Sequence, residues 1–225
     1  MILRILEEQI NDFENYLLTK AKTQDEPLFF YENLIHFQNN WDVLAEDFHL
    51  MLDKSIYNSQ TKRIWFEPKK ALLEFVGFNE GFVRMMFKDL FDETKSLSGR
   101  IDRFQFYSEE LLEEIRLGKT KSMGDHFQHT EIIYFYLAMR YPSNYGVYQH
   151  NYFEKTLHII KAKDIPTVFD PERYYKSSKI FNKYLCDKPL IDKHIERLLK
   201  GSNYFKQENM LRVSYFCWYC ANHNF

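Results

Sequence analysis

Apolar residues recur every three or four positions from the start of the chain. Ile2, Leu3, Leu6, Ile10, Phe13 and Leu17 make one stripe, which predicts an amphipathic helix that residues 23–27 (TQDEP) interrupt. Residues 28–57 read as helix in one or two pieces, with Trp41, Leu44, Phe48 and Leu52 on one face. A polar loop is expected at 58–62, and "RIWF" at 63–66 reads as a short strand or extended lead-in. Pro68 suits a first helical position, and Leu72, Leu73 and Val76 follow at helical spacing. Gly77 and Gly81 bracket a break. Helix resumes over 82–91 and again over 101–116, past Gly99, before a polar, basic connection at 118–124.

Residues 130–139 are apolar on nearly every side, the pattern of a helix surrounded by other helices, with Ile133, Phe135, Tyr136 and Leu137 as core. Tyr141-Pro142-Ser143-Asn144 ends it, residues 145–148 read as extended or irregular, and a further helix starts near Asn151. Tyr145, Tyr148 and Tyr152 lie past that break and are expected on an exposed or cleft-lining surface. Asp170-Pro171-Glu172 combines an N-cap, a first-position proline and an acidic first turn. In the helix it opens, Tyr174, Phe181 and Leu185 lie opposite Lys176, Lys179 and Lys183. Asp187 with Pro189 starts another helix, which Gly201 ends, and residues 209–219 form the last. The expected fold is mainly α: a multi-helix bundle in two lobes with at most a short strand pair. The lobes are an acidic one at 1–117 and a basic, aromatic-rich one at 125–225.

Composition sharpens this picture. Seven Gly and six Pro are too few for the many turns of a sandwich or barrel, whereas 18% aromatic residues is high. The stretch "MILRILEEQINDF" has charges inside its apolar pattern and no small-residue cleavage site, so it does not read as a secretion signal. No apolar run approaches the ~20 residues of a membrane span. The three Cys offer no disulfide framework, and a cytoplasmic protein with reduced thiols is expected. The net charge of −2 hides an asymmetry: residues 1–115 sum to −9 and residues 116–225 to +7. Such a split points to a localised anionic partner or to two lobes that attract each other.

Candidate chemistry is sparse. "GKTKS" at Gly118 lacks the first glycine of a phosphate-binding loop, since Glu113 stands there, and a charged helix rather than a strand precedes it. His126 and His129, and Cys217, Cys220 and His223, have metal-like spacing. The two groups are about ninety residues apart, and a structural zinc site takes four ligands, usually from two matched pairs. Packed or capping side chains are the plainer reading. Asp53, Glu67 and Lys69 loosely fit the skeleton of Mg²⁺-dependent nucleases, in which two carboxylates hold the metal and a lysine orients the attacking water. Pro68 fits a central strand of such a nuclease poorly. Glu109, Glu110, Glu113 and Glu114 read as a solvated helix face. Lys176, Lys179 and Lys183, followed by Lys188, Lys193, Arg197 and Lys200, form a basic ridge of the kind that phosphate binding requires.

Three stretches carry a family resemblance over roughly residues 70–220. They are "FKDLFDE" (87–93) with "RIDRF" (100–104), "YFYLAMRYPSNYGVYQHNYFEKTL" (134–157) and "DPERYYKSSKIFNKYL" (170–185). Together they resemble the region N-terminal to the AAA+ motor in McrB-type proteins of modification-dependent restriction systems. Such proteins continue into a motor with a phosphate-binding loop, and this chain reaches Phe225 without one, which reads as an N-terminal domain or a stand-alone relative. The resemblance implies a non-catalytic recognition module of an antiviral restriction system. It would select DNA, modified DNA included, or another partner for an AAA+ motor in cis or in trans, with nucleotide hydrolysis and cleavage left to other segments or subunits; no cofactor, catalytic residue or membrane attachment is expected. Within that reading, Lys176, Lys179, Lys183, Lys193 and Arg197 are expected to contact phosphates, and Tyr145 or Tyr148 to stack on an unpaired base. The alternatives are a protein-interaction scaffold and the Asp53/Glu67/Lys69 nuclease.

Overall fold

The computed structural model describes residues 2–57, 63–118, 124–200 and 205–223. Among them are ten α-helices and no strand, which is the mainly α architecture expected. In chain order these are α1 (Leu3–Thr19), α2 (Leu28–Asn40), α3 (Phe48–Ser55), α4 (Arg63–Leu90), α5 (Leu97–Gly118), α6 (Thr130–Arg140), α7 (His150–Ile159), α8 (Pro171–Cys186), α9 (Pro189–Leu198) and α10 (Leu211–His223). The loop expected at 58–62, Gly201, and most of the 118–124 connection lie outside the described residues. No described helix is long and apolar enough to cross a membrane.

Local signals account for most helix ends. Asp170 caps α8 by accepting from the Arg173 amide at 2.8 Å, with Pro171 at the first position, as expected. Asp47 caps α3 in the same way through the Leu50 amide. The break between Gly77 and Gly81 is real: Asn79 leaves helical geometry (φ −149°, ψ 81°), and its side-chain oxygen accepts from the Phe82 amide to restart α4. Two expectations fail here. Residues 63–66 are the first turn of α4, not a strand, because a strand needs a pairing neighbour and no described residue supplies one. Pro68 accordingly lies inside α4 rather than at its first position.

The helices gather into two compact units. One combines Met1–Ile35 with Tyr141–Phe225, and the other is His36–Arg140. The boundary expected near 117–125 is therefore corrected. α1 leaves its neighbours in sequence and packs on α8, α9 and α10, since its Leu6, Ile10, Phe13 and Leu17 stripe needs an apolar partner. The charge asymmetry changes with the grouping. The first unit holds 16 Lys/Arg and 15 Asp/Glu, a net of +1, and the second holds 14 and 17, a net of −3. The acidic start of the chain thus folds among the basic C-terminal helices rather than into a separate acidic lobe.

In the first unit, α7 and α10 form the most extensive helix pair, and α10 is buried at nearly every position from Leu211 to Ala221. Phe13 of α1 meets the rings of Tyr215, Phe216 and Tyr219 at centroid distances of 5.3–5.7 Å. Asp25, in the α1–α2 connection, accepts from the hydroxyls of Tyr16 and Tyr215, both at 2.7 Å. Burial and that carboxylate raise both tyrosine pKa values well above the usual phenolic range, so both remain donors. The irregular segment before α7 is buried too, and two side chains and one backbone amide satisfy its backbone. The Val147 amide donates to Ser214 Oγ at 2.8 Å, the Val147 carbonyl accepts from Tyr174 Oη at 2.8 Å, and the Pro142 carbonyl accepts from the Met210 amide at 2.7 Å.

Only glycine fits at 146. A Cβ there would stand 2.8 Å from the Met210 carbonyl oxygen, 3.0 Å from Ser214 Oγ and 3.1 Å from Tyr174 Oη, and the first of these is backbone that cannot rotate away. Gly146→Ala is expected to cost roughly 1–3 kcal/mol, as overpacking does, read as a lower midpoint in urea unfolding.

The second unit is built on the antiparallel pair α4 and α5, with α3 against α4 and α6 against both. Residues 132–139 of α6 are all buried, with Ile133 and Leu137 at 0%, Tyr136 at 1% and Phe135 at 2% exposure, as expected for an interior helix. Tyr136 meets Phe87 at 5.5 Å and Phe104 at 6.0 Å, and its hydroxyl donates to the fully buried Gln128 at 2.9 Å. Phe87 also faces Trp41 at 4.9 Å. Asp89 receives hydrogen bonds from Arg103 and Lys95. Burial alone would raise its pKa, but these two cations outweigh burial and hold it below the usual carboxylate range.

Candidate nucleic-acid interface

The basic ridge lies on α8 and α9, where residues 171–200 carry eight Lys/Arg against four Asp/Glu. The buried side of α8 holds Tyr174, Ser178, Phe181, Asn182 and Leu185, which fixes the opposite side outward. Lys176 and Lys183 are exposed there, seven residues and two turns apart, and Lys193 is exposed on α9. Among the described residues none of these three is held by a hydrogen bond or an ion pair. Exposed Ile180 and Leu190 lie on the same two helices.

The other two predicted cations serve the fold. Lys179 is half-buried: its ammonium lies 3.3 Å from the Ser143 carbonyl and 3.4 Å from Asn144 Oδ1, and 5.4 Å from the centre of the Tyr175 ring. Arg197 donates to the Leu17 carbonyl at 2.9 Å, placing a cation at the carbonyl end of α1. A cation that sequence reading left out, Arg212, is also structural. It is nearly buried, pairs with Asp192 at 2.7 Å and donates to Asn182 at 3.0 Å, which neutralises one of the ridge's carboxylates.

The predicted stacking tyrosines are corrected. Tyr148 is 0% exposed, and its ring lies parallel to Tyr174 at 4.3 Å with an interplanar angle of 3°. Its hydroxyl accepts from the Asp170 amide at 3.2 Å and lies 3.1 Å from His150 Nδ1. Tyr145 is 4% exposed and meets the rings of Tyr141 and Tyr175. Neither offers a free face to a base. Pro142 ends α6, but the segment after it turns inward, because Ser214, Tyr174 and Met210 supply the hydrogen bonds it needs. Tyr152 is half-buried and donates to Glu26 at 3.1 Å. Beside the ridge, a cleft of about 230 Å³ is lined by Glu7, Ile10, Asn11, Tyr184, Asp187 and Lys188.

His126 and His129 belong to one unit, and Cys217, Cys220 and His223 to the other. Among the described residues no three His, Cys, Asp or Glu side chains converge. His126 Nδ1 accepts from the Gln128 amide at 2.8 Å, and burial lowers its pKa, so the ring is neutral at pH 7. Cys217 and Cys220 are buried, and burial pushes the Cys217 thiol up to about 12 and Cys220 well above the usual thiol range. Cys186 is exposed. A maleimide is therefore expected to label one thiol in the native protein and three after unfolding, counted by mass spectrometry. Asp53 and Lys69 do come together, with Nζ 2.7 Å from Asp53 Oδ1 and 2.8 Å from the Asp53 carbonyl. That ammonium ties the end of α3 to α4 by the pair, and the strand a nuclease skeleton needs at 63–66 is helix.

No protein-family model, curated protein or solved structure gives a match to this chain.

Proposed function

We propose that this chain is a non-catalytic recognition module that takes the phosphate backbone of DNA on the α8–α9 face. In this reading it serves a nucleotide-driven motor of the McrB-type restriction systems that its sequence resembles. The observation that carries the reading is the set Lys176, Lys183 and Lys193: exposed, on adjoining helices, and held by no carboxylate among the described residues. Point cations of this kind grip phosphates without reading sequence. With Tyr145 and Tyr148 buried, base stacking drops out of the mechanism. Duplex is then expected to bind at least as well as single strands, since its phosphates are denser.

The experiment is a fluorescence-anisotropy titration with duplex, modified duplex and single-stranded DNA at about 50 and 200 mM salt. If three phosphates are contacted, duplex affinity falls roughly 40-fold between those salts. Absence of binding at the lower salt overturns the proposal. A second reading, a protein-interaction scaffold, draws on the near-neutral sum of the first unit, which favours a short-range docking surface over a long-range field. The same titration without Mg²⁺ and with it, followed on a gel, separates both readings from the Asp53/Glu67/Lys69 nuclease.

A further inference from the structure

The second unit carries an apolar surface that its own core does not use. Around the Asn79 break, Phe78 is 46% exposed and Met85 37% exposed, and Phe106 on α5 is 54% exposed. Half-buried side chains join the two helices: Phe82 meets Tyr107 at 5.4 Å, and Tyr107 meets Phe106 at 5.9 Å. The break itself is locally encoded. Gly77 stands in open space, a Cβ at Gly81 would meet Asn79 Oδ1 at 3.9 Å, and Asn79 caps the resumed helix, so Phe82 and Met85 lie on its first turns. Phe, Tyr and Met are the side chains enriched at the centres of protein interfaces, Met because its flexible thioether adapts to a partner.

The charges around this surface have one dominant sign. Asp102, Glu109 and Glu110 stand one turn from Phe106 on α5 and Glu113 lies a turn beyond, all exposed. Of the nearby cations, Arg84 is committed to Glu80 and to the Val43 and Ala45 carbonyls, and Arg103 to Asp89. Lys88 is exposed. The α4–α5 pair thus presents exposed Phe78, Met85 and Phe106 around the Phe82–Tyr107 contact, with an acidic rim along α5.

We propose that this α4–α5 face docks a basic amphipathic helix of a partner protein, one with large apolar side chains on one face and Lys/Arg beside them. Charge complementarity selects the partner: the acidic rim favours cations and repels the polyanion assigned to the other unit. Two packed helices present a groove for a third, and no described strand offers an edge for strand addition. The inference stands on different residues from the DNA-binding proposal, and either can fail alone.

The test uses the full chain and a fluorescein-labelled synthetic peptide of about 18 residues, with Leu and Phe on one helical face and Lys on the other. A scrambled peptide of equal composition and a Glu-for-Lys peptide serve as comparisons. The amphipathic basic peptide is expected to bind at least tenfold more tightly than either. The variant Phe78→Ser/Met85→Ser/Phe106→Ser, changed only at exposed positions and checked by circular dichroism, is expected to lose that binding at least tenfold and to retain DNA binding. Equal binding of the scrambled peptide, or unchanged binding by the triple variant, overturns the proposal. So does a self-associated wild-type chain in sedimentation that the triple variant renders monomeric, which would assign the face to a second copy.

Discussion

Tyr148→Ala is expected to cost about 3–5 kcal/mol of folding free energy, the range for removing a large buried aromatic ring. The ring is fully buried and packs on Tyr174, Phe153 and Phe169, so truncation leaves a void that three aromatic neighbours cannot readily fill. Tyr148→Phe isolates the hydroxyl. It keeps the stack and removes the acceptor for the Asp170 amide at the head of α8, for an expected loss of roughly 0.5–1.5 kcal/mol. Urea unfolding of both variants gives the two numbers. A near-neutral Tyr148→Ala would place the ring at the surface and reopen base stacking as its role.

Phe87→Ala is expected to have a similar effect, again ~3–5 kcal/mol, in the second unit. Phe87 is fully buried and touches Trp41, Phe91, Phe104 and Tyr136, so it joins α4 to α5, α6 and the segment after α2. The loss combines dispersion contacts, the edge-to-face ring geometry and the cavity left behind. Thermal and urea unfolding should both register it. Phe106→Ala on the neighbouring helix, more than half exposed, is the contrast, expected within ±0.5 kcal/mol of wild type.

Local signals in the sequence carried much of the fold. The Asp170-Pro171-Glu172 start, the interior character of 130–139 and the break bracketed by Gly77 and Gly81 each depend on a few neighbouring residues, and each appears in the structure as read. What failed depends on distant partners. Residues 145–148 have no helical or strand period, so their pattern names no buried side, and their burial is decided by Tyr174, Met210 and Ser214. Residues 63–66 have strand-like composition, but no strand exists among the described residues for them to pair with. The lobe boundary was placed by composition, whereas the fold brings α1 back onto α8 and α9. The lysine ridge was legible as an amphipathic stripe, yet the commitment of Lys179 to the 143–144 carbonyl and amide and of Arg197 to the end of α1 was not.

Phosphate binding by Lys176, Lys183 and Lys193, as proposed, has a quantitative signature in salt. The most direct measurement is the slope of log affinity against log salt concentration for a B-form duplex, compared between wild type and Lys176→Ala/Lys183→Ala/Lys193→Ala. All three positions are exposed, so the variant should fold with unchanged stability, checked by urea unfolding. The slope is expected to shallow by about 2–3 in the variant, close to 0.9 for each phosphate contact removed. An unchanged slope and affinity in a folded variant would contradict it.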